Sequence, residues 1–151
     1  MRPLLLPVLA LSLVGCTEDN PTVAPRPQGR PDPQTSADWA VTAVEYEFQG
    51  APVLLSAGEF TFTLENEGEE PHELYLFYIT GDQPIEELIE LPERQVDKVA
   101  QAVNRAEAKP GGSDEFTAAL VPGRFGYVCF VEAEDGTPHA FLGMRGEFTV
   151  A

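Results

Sequence analysis

The chain keeps its scarce sulfur and imidazole groups close together near one end. The segment "YVCFVEAEDGTPHAFLGMRGEFTV", residues 127–150, holds one of two cysteines, one of two histidines and the only methionine besides Met1. Nine residues separate Cys129 from His139, and four separate His139 from Met144. The other histidine, His72, stands in "NEGEEPHELYL", just ahead of an apolar run. A thiolate, two imidazoles and a thioether make a soft donor set of the kind that holds copper in a trigonal plane of Cys and two His with a weak axial Met. Thiolate sulfur stabilises Cu(II), imidazole suits both oxidation states, and thioether favours Cu(I). Such a set rearranges little when one electron arrives. Cys129 taken alone has other readings: a thiol in an oxidising compartment also persists by burial in a core or by pairing with another chain.

Bringing these groups together requires a fold that returns to one point several times. "VEYEF" alternates Val44, Tyr46 and Phe48 against Glu45 and Glu47, the period of a strand with one wet face. "GEFTFTLEN" repeats the pattern with Phe60, Phe62 and Leu64. "ELYLFYI", residues 73–79, is apolar on both faces, as a strand covered on both sides would be. "EFTAALV", "RFGYVCFV" and "GEFTV" supply three more strands, with glycines between. Six or more short strands punctuated by turns predict an all-β sandwich. The strand bearing Cys129 and the final strand are expected to be neighbours, so the loop joining them turns Cys129, His139 and Met144 toward one point. One stretch departs from the strand rhythm. Asp82 and Pro84 make a helix start, Ile85, Leu88 and Ile89 follow at helical spacing, and Pro92 interrupts. Val96, Val99, Ala100 and Val103 then share a helical face until "KPGG", which predicts a helical excursion packed on the sandwich or, less simply, a partner-binding helix.

The start, "MRPLLLPVLALSLVGC", has one basic residue, Arg2, and an apolar run too short to span a bilayer. Small residues before Cys16 make it similar to a bacterial lipoprotein signal, which implies a signal peptide over residues 1–15 and lipid on Cys16. Residues 17–37 carry five prolines and no apolar periodicity, the composition of an extended spacer. Three parts are thus expected: signal peptide 1–15, lipidated Cys16 with a Pro-rich disordered linker to residue 37, and a folded domain over 38–151. The net charge of −16 leaves little to neutralise phosphates and argues against nucleic acid.

From about residue 39 to the end the chain resembles the cupredoxins, small Greek-key sandwiches of the plastocyanin and azurin kind. "AGEFTFTLENEGEEPHE" is similar to their segment in which Asn and Gly precede the first copper histidine. "GYVCF" with "PHAFLGMRGEFTV" resembles their Cys–His–Met loop and last strand, Gly143 before Met144 included. The resemblance implies a cupredoxin-like Greek-key β-sandwich with a helical insertion, and one type 1 copper held by His72, Cys129, His139 and axial Met144. Two departures stand out. The Cys-to-His spacing is nearer the longer loop of copper nitrite reductases, the extra residues being "VEAEDGTP". Glu73 follows His72 where many members carry an asparagine that ties the two ligand loops together, a kind of contact that orients ligands.

Catalytic copper oxidases and reductases need a second centre built from further histidines, and both histidines are already used, so no enzyme is expected. The leading expectation is an exported, membrane-anchored one-electron carrier, monomeric, on the outer face of the cytoplasmic membrane or in the periplasm. Electrons would pass through the His139 edge, collared by Pro71, Pro138, Ala140, Phe141 and Leu142. Glu67, Glu69, Glu70, Glu132, Glu134 and Asp135 would steer a basic redox partner. Two alternatives are a copper-handling lipoprotein without electron transfer and a copper-free interaction protein of the same fold.

Overall fold

The computed structural model describes residues 38–151. The expected signal peptide, Cys16 and the linker lie outside the described residues. Two sheets face each other across an apolar core. One has four strands in the order β2-β1-β4-β7, namely Glu47–Gln49, Asp38–Val44, Gly58–Asn66 and Ser113–Leu120. The other has five, in the order β3-β9-β8-β5-β6: Leu54–Leu55, Arg145–Val150, Gly123–Val128, His72–Ile79 and Ala100–Ala108. The expected all-β Greek-key sandwich with helical insertions is what forms. β1 lies parallel to β4 and β3 parallel to β9, while the other pairings are antiparallel.

Alternation builds the core. Phe60, Phe62 and Leu64 of β4 are buried against Val41, Phe125 and Phe148, the inward positions of a period-2 pattern. β5 is covered on both faces, as its sequence implies. Leu74 and Leu76 enter the core between the sheets, while Phe77 and Ile79, on the alternate face, join a second cluster with Ile85, Leu88, Ala100 and Val128.

Two expectations are corrected. "VEYEF" is not one strand: β1 stops at Val44 and β2 starts at Glu47, paired so that Val44 opposes Glu47 across a tight turn at Glu45 and Tyr46. The cause is tertiary: β1 follows β4 as far as Ala43 opposite Asn66, where β4 ends and its pairing with β1 stops. The helical excursion is also shorter than expected. Single turns α1, Ile85–Leu88, and α2, Glu93–Val96, are followed not by more helix but by β6, which pairs along the whole of β5. Val103 is β-branched and suits a strand, and edge pairing on β5 outweighs the helical spacing.

Arg124 pins the insertion to the sandwich. Its guanidinium donates to the carbonyls of Gly81 (2.9 Å) and Gln83 (3.0 Å) and grips Glu147 at 2.7 and 2.9 Å. Glu147 in turn accepts the Ile85 N–H, a first-turn donor of α1 that has no partner in the helix. Arg124→Ala is expected to lower stability by about 1–3 kcal/mol by stranding these partly buried groups. The check is a lower urea midpoint than that of the unsubstituted chain.

Candidate metal centre

Several strands start or stop at one end of the sandwich, and the scarce side chains sit at those junctions. His72 is the first residue of β5, Cys129 follows the last residue of β8, and Met144 precedes the first of β9. The Cys129 N–H donates to the Met144 carbonyl at 3.0 Å, so the β8–β9 ladder runs one step beyond its named strands. His139 opens a single helical turn, α3, His139–Leu142, and the Met144 N–H returns to the His139 carbonyl at 3.0 Å. Gly143 ends that turn at φ +128°, a conformation that side chains resist, with the Tyr46 carbonyl close by.

The unusual length of the Cys-to-His loop is absorbed locally. Residues 132–138 fold into a small hairpin closed by the Glu132–Pro138 bridge and the Ala133 N–H to Thr137 carbonyl contact at 2.9 Å. The His139 N–H then bonds to Val131 and the Ala140 N–H to Cys129. The insert therefore loops out and leaves His139 beside Cys129.

The donor atoms converge. His72 Nδ1 lies 3.1 Å from His139 Nδ1 and 4.0 Å from Cys129 Sγ, and His139 Nδ1 lies 3.5 Å from the same sulfur. The centre of that triangle is about 2.1 Å from each atom, inside the range of about 2.0–2.3 Å for nitrogen and sulfur on a metal of this size. His72, Cys129, His139 and Met144 are all at most 1 % exposed. Glu73 performs the tie that the asparagine of similar proteins would make. Its N–H reaches Cys129 Sγ at 3.4 Å and its carboxylate accepts the Phe130 N–H at 2.8 Å.

Charge state fits a cation. Burial pushes the Cys129 thiol up to about 11, although the N–H groups of Glu73 and Val131 pull the other way, so a bound metal must displace its proton. Carboxylates lie beside both outer ring nitrogens, Glu45 at 3.4 Å from His72 Nε2 and Glu70 at 2.9 Å from His139 Nε2. They accept hydrogen but cannot donate it when ionised. With hydrogen on each Nε2, the two Nδ1 atoms turn lone pairs toward one another and toward sulfur. A metal ion held by these donors would relieve that repulsion.

His139, the expected edge for electron passage, is covered in the fold. Its side chain is 0 % exposed, covered by Glu70 and by the Tyr46 ring, whose centroid is 4.7 Å away. Ala140 is buried too, leaving Pro71, Phe141 and Leu142 exposed and Pro138 half-buried. Phe130, 43 % exposed beside Cys129, was missed as part of this surface; its place next to the cysteine was the available signal. Glu45 and Tyr46 were missed because they read as part of a strand.

Acid should destabilise the metal-free protein in two steps. Burial, and then the neighbouring His139, hold the His72 imidazole below its ordinary 6.5, against the pull of Glu45. The unfolded chain therefore takes up a proton at His72 before the folded domain does. Stability from this source is complete above pH 6.5, declines below it, and levels off once the folded imidazole protonates. The Glu45 carboxyl is held below its ordinary 4.5, chiefly by the Glu70 backbone N–H, so a second loss begins below pH 4.5. Urea midpoints against pH check this, and His72→Gln should erase the upper step.

No protein-family model and no curated protein matches the chain. Solved structures do. Reduced auracyanin from the photosynthetic bacterium Roseiflexus castenholzii is 22% identical, with TM-score 0.54 over 77% of this chain and 98% of that one. Auracyanin A, a "blue" copper protein from Chloroflexus aurantiacus, is 18% identical, with TM-score 0.52 over 76% and 98%. Auracyanin B is 18% identical, with TM-score 0.53 over 82% and 93%. At these identities the likeness is one of fold: residues 38–151 form a cupredoxin-fold domain.

Proposed function

We propose that the protein is a mononuclear copper protein that carries single electrons, with His72, Cys129 and His139 as equatorial ligands and Met144 as the axial one. The observation that carries this reading is the buried convergence of two Nδ1 atoms and one Sγ around a common centre. The auracyanins, one of them a "blue" copper protein, share the fold and support the choice of metal. Copper bound there would supply a one-electron Cu(II)/Cu(I) couple. The chain's part is to hold the donors in place, keep water out and present a contact surface. Glu73 fixes the thiolate, and the ladder from Cys129 to Met144 fixes the loop. With both histidines committed, none is left for a second catalytic centre, so a carrier is favoured over an enzyme.

Phe130, Phe141 and Leu142, each more than 40 % exposed, suit a small, fast-dissociating contact with a redox protein. Exposed Glu67, Glu69, Glu132, Glu134 and Asp135 favour a partner that is basic there. The fold and the sequence before residue 38 support an extracytoplasmic monomer tethered through lipid on Cys16. Copper handling without electron exchange is the second reading, favoured by the full burial of His139. The test is to load the purified full chain with Cu(II). An intense visible absorption with electron self-exchange supports the carrier. Tight Cu(I) binding without exchange supports handling, and no copper uptake defeats both.

A further inference from the structure

Behind each inner ring nitrogen stands an anchored carboxylate. Glu45 comes from the turn between β1 and β2, where its Oε1 accepts backbone N–H groups from Glu69 (2.6 Å) and Glu70 (2.9 Å) and lies 3.4 Å from His72 Nε2. Glu70 receives the Tyr46 hydroxyl at 3.3 Å on the oxygen that lies 2.9 Å from His139 Nε2. Neither Nε2 has an aligned hydrogen-bond partner among the described residues, so the carboxylates touch from beside the N–H axis, as charges rather than directed acceptors. Space has been left for this arrangement. A methyl group on Gly68 would collide with the Glu45 carboxylate and sit 2.9 Å from His72 Nε2.

A lone pair facing a carboxylate is repelled, while an N–H facing one is attracted. The arrangement therefore selects hydrogen on Nε2 and leaves Nδ1 bare on both rings. It also sets two negative charges one imidazole away from the ligand atoms, only about a third exposed. Negative charge at that range favours the more highly charged of two cations.

We infer that Glu45 and Glu70 are positioning residues that fix the Nε2–H tautomer of both His72 and His139 and bias the centre toward Cu(II) over Cu(I). The tautomer half stands on the protein alone, and the oxidation-state half rests on the copper reading above. At an effective dielectric near 20, discounted for exposure, each charge should shift the Cu(II):Cu(I) affinity ratio on the order of tenfold.

The test uses the full chain with two pairs of variants. Copper-stripped wild type and the Glu45→Ala/Glu70→Ala double variant are compared by long-range proton–nitrogen correlation of the imidazoles above pH 7. The wild type should show both rings as Nε2–H. In the double variant one ring should move to Nδ1–H and donate to the other. An Nδ1–H signal in the wild type, or no change in the double variant, overturns the positioning role. Copper-loaded Glu45→Gln and Glu70→Gln, which keep shape and lose charge, should each bind Cu(I) relatively better, seen as a higher reduction potential. A charge-transfer band with an unchanged or lower potential overturns the bias while leaving the copper reading intact. If even the wild type shows no band, the copper reading and the bias both fall, and the metal-independent tautomer result decides the positioning role.

Discussion

Cys129→Ser is expected to yield a folded domain that no longer supports the proposed copper chemistry. Serine keeps an acceptor for the Glu73 N–H, which reaches the sulfur at 3.4 Å in the native site, so the start of β5 retains its contact. The thiol is wholly buried and bonded to little else, so the cost to folding should be about 1 kcal/mol, the scale of one altered hydrogen bond. The effect on metal is far larger. Closed four-ligand sites of this size contribute about 10–16 kcal/mol, or roughly 2.5–4 per ligand, which puts the loss of affinity at about a hundred- to a thousand-fold. Sulfur is the soft, covalent donor, so the loss should fall most heavily on Cu(I) and erase any thiolate charge-transfer absorption. Visible spectra and a competition titration with a Cu(I) chelator measure both. A variant that keeps the absorption would show that Cys129 is not the thiolate donor.

The residues proposed as ligands were legible because their types are scarce. With two histidines and two cysteines in 151 residues, their order along the chain carries information that ordinary residues do not. The strands were legible wherever one face is wet, as in β4, and the doubly covered β5 declared itself by apolar residues on both faces. The residues behind the imidazoles were not. Twenty-five acidic side chains give no reason to single out Glu45 or Glu70, and Glu45 sits in an alternating run that local pattern assigns to a strand. Its turn exists because β1 outruns its parallel partner at Asn66, a tertiary fact. Likewise Val103 satisfies a helical spacing with Val96 and Val99 and a β preference at once. The free edge of β5 decided between them, and no local signal marks that edge.

Asn66→Ala is expected to be the most damaging substitution outside the hydrophobic core and the donor atoms. Asn66 is the last residue of β4, 2 % exposed, and its amide works in two directions. Nδ2 donates to the carbonyls of Glu70 (2.8 Å) and Ala108 (2.9 Å), while Oδ1 accepts the Gly68 N–H (2.9 Å). Those three bonds shape residues 67–71, which deliver Glu70 against His139 and lead into His72, and they tie that loop to the end of β6. Alanine strands two carbonyls and one N–H where water has little access. At about 1–3 kcal/mol for each fully buried group and less for the partly buried ones, the total should reach about 2–4 kcal/mol. For a domain of this size that is a fall of about 10 °C in Tm. Because the loop holds one proposed ligand, copper affinity should fall as well, by the 10–100-fold typical of lost supporting contacts. Asn66→Asp should be no milder, since it turns a carboxylate oxygen toward two carbonyls that need a donor. The control is next door: Glu65 is exposed, and Glu65→Ala should move Tm by no more than a degree or two, within the about ±0.5 kcal/mol of surface changes. If Asn66→Ala melts where Glu65→Ala does, the loop is held by something other than this amide.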